Sequence, residues 1–130
     1  MISTKGKTLV EVLNEIAEAL IKQGKQATNC FETCVYEDTE GNHCAIGFLL
    51  EEHGDCMGLA GGLESTSFQE ALRREPQREF IELHQRALSI LQELHDACSM
   101  MAREDVLLRL EELVGEDLPA FQPWVMLGTM

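Results

Sequence analysis

The chain has 130 residues, and 23 acidic residues against 10 lysines and arginines give it a formal net charge of −13 at pH 7. The length predicts one domain covering residues 1–130, and a hydrophobic content of 45% is enough for a core. So strong a negative charge repels DNA and RNA, which excludes direct nucleic-acid binding as the expected activity and favours a partner with a basic surface.

The cysteines and the start of the chain bear on the compartment. Residues 2–7 are not followed by the apolar run of a signal peptide, and no apolar stretch approaches the roughly 20 residues of a membrane span. An odd number of cysteines without a secretory signal is typical of reduced thiols. We therefore expect a cytoplasmic protein with no membrane segment.

The first predicted element is a helix from about Leu9 to Gln23. Thr8 and Glu11 form a capping box at its start, and Gly24 ends it. Apolar residues recur at the three- and four-residue spacing of a buried helix face. They are Leu9, Val12, Leu13, Ile16, Ala17, Leu20 and Ile21.

The middle of the chain is where strand structure is predicted. A strand-prone run over residues 31–37 is followed by a turn at residues 38–42. Residues 43–50 fit either the second strand of a hairpin or a short helix. Asn42 as N-cap and Gly54 as C-cap favour the helix.

A glycine-rich loop and two helices are predicted next. The loop over residues 53–66 leads to a second capping box, Ser67 and Glu70, which opens a short helix. Pro76 suits the first turn of a long helix. Its apolar residues keep a three- to four-residue spacing over about six turns. They are Phe80, Leu83, Ala87, Ile90, Leu91, Leu94, Ala97 and Cys98.

The last predicted helix covers residues 103–114 and ends at Gly115. The tail that follows is too apolar to be free, so we expect Phe121 and Trp124 to dock on the helices. Together these elements predict a mainly helical α+β domain, with four to five helices and a short strand or β-hairpin near residues 31–48. The apolar face of the last helix is Val106, Leu107, Leu110 and Leu113.

The acids of the middle segment are the predicted contacts with a partner. Between Gln26 and Leu72 the chain has nine acids and no lysine or arginine. One anionic face built from such acids would imitate nucleic-acid phosphates and occupy a basic groove on another protein. The alternative is a charged surface that only keeps the protein soluble. The predicted contact residues are Glu37, Asp38, Glu40, Glu51, Glu52 and Asp55.

The same segment permits a second hypothesis, a structural zinc site. Structural zinc usually takes paired ligands two to four residues apart, joined by a longer loop. Two such pairs exist here, with eighteen residues between them, although the usual Cys-x2-Cys knuckles are absent. The alternative is that Cys44 and Cys98 are small core residues and that the other cysteines lie in loops. The candidate ligands are Cys30, Cys34, His53 and Cys56.

A cysteine nucleophile is the third hypothesis. Such catalysis requires a histidine that forms an ion pair with the thiol, and a third group that orients the histidine. His43 adjoins Cys44, but neighbouring side chains diverge in a helix or a strand. We therefore expect no enzymatic activity and no cofactor, zinc being the one cofactor that the sequence leaves open.

One short block resembles a known pattern. It is similar to a motif in small uncharacterised proteins of bacteriophages and mobile elements, over roughly 16 residues. The resemblance implies a phage or prophage origin in a bacterial cytoplasm, and it carries over no functional residues. The motif is Cys34-x-Tyr36, then Gly41-x-x-Cys44-Ala45-Ile46-Gly47-x-Leu49.

Charge and resemblance together predict a non-enzymatic inhibitor of a host nucleic-acid-binding or defence complex. It would be anti-CRISPR-like and would occlude a basic site on that complex. Other classes stay open: a zinc- or cysteine-dependent small protein or enzyme, and an immunity protein for a basic toxin. The apolar run at residues 121–127 also leaves a homo-oligomer open.

Overall fold

The structure, a computed structural model, describes residues 1–24, 41–51, 63 and 65–127. Within these ranges the chain forms six α-helices and two 3-10 helices, Gly47–Leu49 and Pro119–Phe121. None of the helices described is both long and apolar enough to cross a bilayer. The α-helices are α1 (Leu9–Gln23), α2 (Thr66–Leu72), α3 (Arg78–Leu83), α4 (Gln85–Asp96), α5 (Met100–Val114) and α6 (Gln122–Met126).

Helix α1 has the bounds that the sequence predicts. The Thr8 hydroxyl accepts a hydrogen bond from the Glu11 N–H at 3.2 Å, and Glu11 Oε1 accepts one from the Thr8 N–H at 3.1 Å. Gly24 ends the helix at a φ of 77°, in the left-handed region that favours glycine. The inner face is fully buried and consists of Val12, Leu13, Ile16, Ala17 and Leu20.

Helix α2 begins earlier than predicted. Its N-cap is Ser65, whose hydroxyl accepts a hydrogen bond from the Phe68 N–H at 3.2 Å. The predicted capping box of Ser67 and Glu70 is therefore wrong. With this start the helix buries Phe68 completely.

The long helix predicted after Pro76 is two helices, α3 and α4, which meet at His84. There φ is −110° and ψ is 25°, outside the α-helical values, and the His84 ring lies 4.6 Å from the Phe80 ring centroid. Leu83, predicted to be buried, is 78% exposed, and Cys98, also predicted in the core, is exposed beyond the end of α4. The apolar spacing continues across the break, so periodicity alone does not reveal it.

Helices α4 and α5 form an antiparallel pair joined by a short turn. Helix α5 starts before residue 103, because the Ser99 hydroxyl caps it by accepting a hydrogen bond from the Ala102 N–H at 3.0 Å. It ends at Gly115, as predicted. Leu113, which was predicted to be buried, is 37% exposed.

The tail docks on the helices, as predicted. Phe121 is fully buried and Trp124 is 1% exposed. The Trp124 indole N–H donates to the Leu94 carbonyl at 3.3 Å, and α1 packs on this end of the chain. The core therefore lies between α1, the α4–α5 pair and the C-terminal turn.

The mainly helical character is confirmed, but the strand or hairpin near residues 31–48 is not supported. The described ranges contain no strand, and residues 31–40 lie outside them. Residues 43–50 contain an isolated bridge residue at His43 and the 3-10 helix, which has no side-chain cap; the predicted C-cap Gly54 is not among the described residues. The side-chain amide of Gln23 forms two hydrogen bonds with the backbone of His43. Gln23 Oε1 accepts from the His43 N–H, and Gln23 Nε2 donates to the His43 carbonyl, each at 2.7 Å.

Candidate functional site

Of the predicted partner contacts, only Glu51 lies in the described part of the chain. It is exposed, and its N–H donates to Glu75 Oε1 at 2.7 Å. The contact surface predicted from the acids of residues 37–55 therefore stays a prediction. The contacts outside the described residues are Glu37, Asp38, Glu40, Glu52 and Asp55.

The zinc hypothesis also stays a prediction, because all its candidate ligands lie outside the described residues. Among the residues that are described, no group of three or more histidines, cysteines or acids is placed to hold a metal ion. The candidate ligands outside the described residues are Cys30, Cys34, His53 and Cys56.

Cys44 is a packing residue, and its environment disfavours a thiolate. The side chain is fully buried, and its Sγ accepts a hydrogen bond from the Gly47 N–H at 3.2 Å. Burial raises the pKa of the thiol to about 12, because an ionised sulfur would lose its hydration. Cys44 is therefore protonated at neutral pH and is a poor nucleophile. The ring of the adjacent His43 instead lies 5.2 Å from that of Phe48.

The outer side of α5 combines acidic and apolar side chains on one exposed surface. Glu104, Asp105 and Glu112 are exposed, and Met101 and Leu108 are 77% and 60% exposed. Spacings of three, four, seven and eleven residues from Met101 place all five on the same side of the helix. We call these five residues the α5 outer face.

The cations of α5 leave this face negatively charged. Arg109 Nη2 lies 2.6 Å from Glu93 Oε1 on α4, and the pKa of Arg109 is raised mainly by that hydrogen bond. Arg103 is 6% exposed and is directed into the protein. Within the described residues, no other lysine or arginine lies on this helix.

Arg103 holds α5 against the C-terminal turn. Its Nε donates to the Ala97 carbonyl at 2.8 Å, and its Nη1 donates to the Trp124 carbonyl at 2.6 Å. The guanidinium carbon lies 4.3 Å from the Trp124 ring centroid. Burial lowers the pKa of Arg103, but an arginine stays charged in proteins. These contacts give the α5 outer face a rigid support.

Sequence reasoning missed the α5 outer face because it followed the charge imbalance of residues 29–70. A usable signal was nevertheless present. Leu108 is an apolar residue among acids on the polar side of the helix predicted over residues 103–114, and Met101 lies seven positions before it, two residues outside the predicted start. Apolar residues with that placement fit an interface better than a core.

The block of residues 34–49, whose resemblance to phage and mobile-element proteins stays a prediction, is described only from Gly41 onward. The portion from Gly41 to Leu49 includes the 3-10 helix, and Cys44, Ala45 and Ile46 in it are fully buried, which indicates a structural role for that portion. Comparisons with protein-family models, with curated proteins and with solved structures find no match for this chain.

Proposed function

We propose that this chain is a non-enzymatic binding protein that occupies a basic site on a partner protein through an acidic surface. The observation that carries the proposal is the α5 outer face, with three carboxylates around two exposed apolar side chains. The six acids predicted as contacts within residues 37–55, of which Glu51 is described, are proposed to extend this surface.

The apolar residues distinguish the α5 outer face from a surface that serves only solubility. Single exposed hydrophobic residues are common on proteins. Met101 and Leu108, however, lie two helical turns apart, about 10 Å, on the same side of one helix. Their burial against a partner would contribute roughly 1–3 kcal/mol for each side chain, which charge alone does not provide.

The carboxylates supply direction and selectivity. A net charge of −13 attracts a basic surface over a distance set by the ionic strength, and it speeds the first encounter. At contact, Glu104, Asp105 and Glu112 can accept hydrogen bonds from lysine or arginine side chains that would otherwise bind phosphates. Binding would therefore compete with nucleic acid.

In its concrete form the proposed protein is phage-encoded and acts in the cytoplasm of a bacterial host. It inhibits a host nucleic-acid-binding or defence complex, as an anti-CRISPR-like antagonist does, by covering the basic site. This form is supported by the sign of the surface together with the resemblance of residues 34–49 to phage proteins.

The test is competition for a host partner. The tagged chain captures proteins from a bacterial lysate, and each purified candidate is loaded with a fluorescent nucleic acid. We expect the wild-type chain to displace that nucleic acid and the double variant Glu104→Lys/Asp105→Lys to fail. A captured protein that binds the chain and its nucleic acid at the same time would contradict the occlusion mechanism.

A matched control separates position from total charge. Glu18 on α1 and Glu70 on α2 are both exposed, so Glu18→Lys/Glu70→Lys changes the net charge by the same amount. We expect this control to displace nucleic acid almost as well as the wild type. Equal loss in both double variants would mean that net charge, rather than the α5 outer face, drives binding.

A further inference from the structure

A groove lined by basic side chains, in contrast to the acidic α5 outer face, lies between the N-terminal segment and α3. Its volume is about 780 Å³, and it is open to solvent. Lys5 lies in one wall, and Arg73 and Arg78 lie in the other. Phe80 and Leu83 also line it and add apolar surface.

The walls of this groove are held in place by one side chain, Gln77. Its Oε1 accepts a hydrogen bond from the Thr4 N–H at 2.5 Å, and its Nε2 donates to the carbonyls of Ile2 and Leu49 at 2.8 and 2.9 Å. These bonds join the N-terminal segment, the 3-10 helix and the start of α3. The groove is therefore formed before any ligand arrives, which lowers the entropy lost on binding.

The cations of the groove are largely available to a ligand. Lys5 and Arg73 are exposed, and neither forms an ion pair with an acid in the described part of the chain. Arg78 Nη1 donates to the Arg73 carbonyl at 3.4 Å, so its guanidinium lies close to that residue. Its Nε is 3.9 Å from Glu82 Oε1, which is a long and exposed ion pair of little strength.

Two acids also line the groove, and one of them is occupied within the protein. Glu75 is 6% exposed, and its Oε1 accepts a hydrogen bond from the Glu51 N–H. Glu79 is exposed. The residues that line the groove therefore include three cations and two acids. The groove thus has local positive charge in a protein whose net charge is −13.

The apolar part of the groove is equally accessible. Leu83 is 78% exposed, and the Phe80 side chain beside it is partly buried. The break between α3 and α4 at His84 leaves Leu83 outside the core. A ligand with an apolar group next to its charges would therefore contact both kinds of surface.

The shape of the groove decides the class of ligand. Guanidinium groups bind carboxylates and phosphates equally well by geometry. Pockets for small molecules usually enclose most of the ligand, about 70–90% of its surface, whereas this groove is open to solvent. The net charge of −13 opposes a nucleic acid, which carries a charge at every phosphate, more strongly than a short peptide with a few carboxylates. An extended chain segment with carboxylates is the class that remains.

We infer that this groove is a second binding site, which takes an acidic peptide segment of a protein partner. The peptide carboxylates pair with Lys5, Arg73 and Arg78, and a neighbouring apolar side chain packs on Phe80 and Leu83. The inference goes beyond the proposed function and shares no residue with the α5 outer face. Variants of one surface therefore leave the other intact, so that failure of either proposal is recognised separately.

The test uses a defined probe and the full-length chain. The probe is an acetylated hexapeptide amide of four acidic residues followed by two leucines, titrated by calorimetry. Its control is the same peptide with asparagine and glutamine in place of the acids. We expect the acidic peptide to bind at least about tenfold more tightly than the neutral one, in keeping with the loss of two charged hydrogen bonds.

Variants of the lining residues test whether the peptide binds in the groove. Arg73→Ala/Arg78→Ala is expected to weaken the acidic peptide about tenfold or more, and Leu83→Ser to weaken it about threefold to tenfold. Arg86→Ala is the control, because Arg86 is exposed on α4 and does not line this groove. Circular dichroism spectra of all variants should match that of the wild type.

Three results would overturn the inference. The first is no binding of the acidic peptide at millimolar concentration. The second is equal binding by wild type and Arg73→Ala/Arg78→Ala. The third is tighter binding by pyrophosphate or by a short oligodeoxythymidylate than by the peptide, which would assign the groove to phosphates instead.

Discussion

At the scale of single residues, Arg103 is a buried cation whose charge is balanced by carbonyl dipoles and an aromatic ring. It donates to the carbonyls of Ala97 and Trp124 and lies over the Trp124 ring. Removing it deprives both carbonyls of a charged donor and separates α5 from the C-terminal turn. Such losses are usually larger than those of surface ion pairs.

We therefore expect Arg103→Met to lower the free energy of unfolding by about 2–4 kcal/mol. Arg103→Lys keeps the charge but cannot donate in two fixed directions, so its loss should be roughly half as large. Urea unfolding followed by circular dichroism measures both values. A loss below about 0.5 kcal/mol for Arg103→Met would show that these contacts contribute no net stability.

The raised pKa of the buried Cys44 thiol predicts that the stability of the protein depends on pH. Burial raises the pKa of its thiol from 9.0 to about 12, so above pH 9 the unfolded chain loses a proton that the folded chain keeps. The contribution to stability is complete below pH 9 and is lost as the pH rises toward 12. We expect a fall of up to about 1.4 kcal/mol per pH unit in this window.

The comparison with Cys44→Ala isolates this effect. The variant is less stable at neutral pH because it leaves a small cavity, but the difference from wild type should shrink steadily above pH 9. Urea unfolding at a series of pH values measures the difference. A difference that stays constant across the window would contradict the assigned pKa of the buried thiol.

At the scale of elements, the start of α2 is set by one hydroxyl group. Ser65 accepts a hydrogen bond from the Phe68 N–H, whereas Ser67 is exposed within the helix. We expect Ser65→Ala to destabilise the protein by about 1 kcal/mol and Ser67→Ala to have almost no effect. Thermal unfolding of the two variants measures this contrast, and the opposite order would restore the predicted capping box at Ser67.

Two adjacent leucines of α5 differ in burial, one lying in the core and the other on the proposed α5 outer face. Leu107 is 1% exposed and Leu108 is 60% exposed. We expect Leu107→Ala to cost about 2–4 kcal/mol of unfolding free energy, and Leu108→Ala less than about 0.5 kcal/mol. In the partner assay the order should reverse, with Leu108→Ala weakening binding. If Leu108→Ala leaves partner binding unchanged, the apolar part of the α5 outer face has no role in recognition.

Element boundaries were predictable where the signal is local. The capping box at Thr8 and the glycine ends at Gly24 and Gly115 depend on neighbouring residues in the sequence, and all three agree with the structure. The break at His84 and the choice of Ser65 were not predictable in this way. Both depend on which side chains the core can accommodate, which is a property of the packed molecule.

The acidic sign of the α5 outer face was predictable from the charge count, but its place was not, and the basic groove was not predicted at all. Counting charges identified an acidic protein, but a count along the chain does not show which acids share a surface. The α5 outer face is defined by the exposure of Met101 and Leu108, which is a property of the folded chain. The basic groove depends on contacts between residues more than seventy positions apart, such as Thr4 and Gln77, which no sequence spacing reveals.

At the scale of the whole molecule, the described surface carries two regions of opposite sign. The α5 outer face is acidic and apolar, and the groove beside α3 is basic and apolar. The net charge of −13 favours the approach of basic partners, and at physiological salt this attraction extends over about 8 Å. Recognition at either region would therefore depend on local complementarity more than on net charge.

The central claim is that the α5 outer face binds a basic site on a partner. Its most direct test is the Kd of the captured partner at about 150 mM salt for wild type and for two variants of equal net charge. We predict a loss of about 100-fold for Glu104→Lys/Asp105→Lys and less than about threefold for Glu18→Lys/Glu70→Lys. The same loss in both variants, or none in either, would contradict the claim.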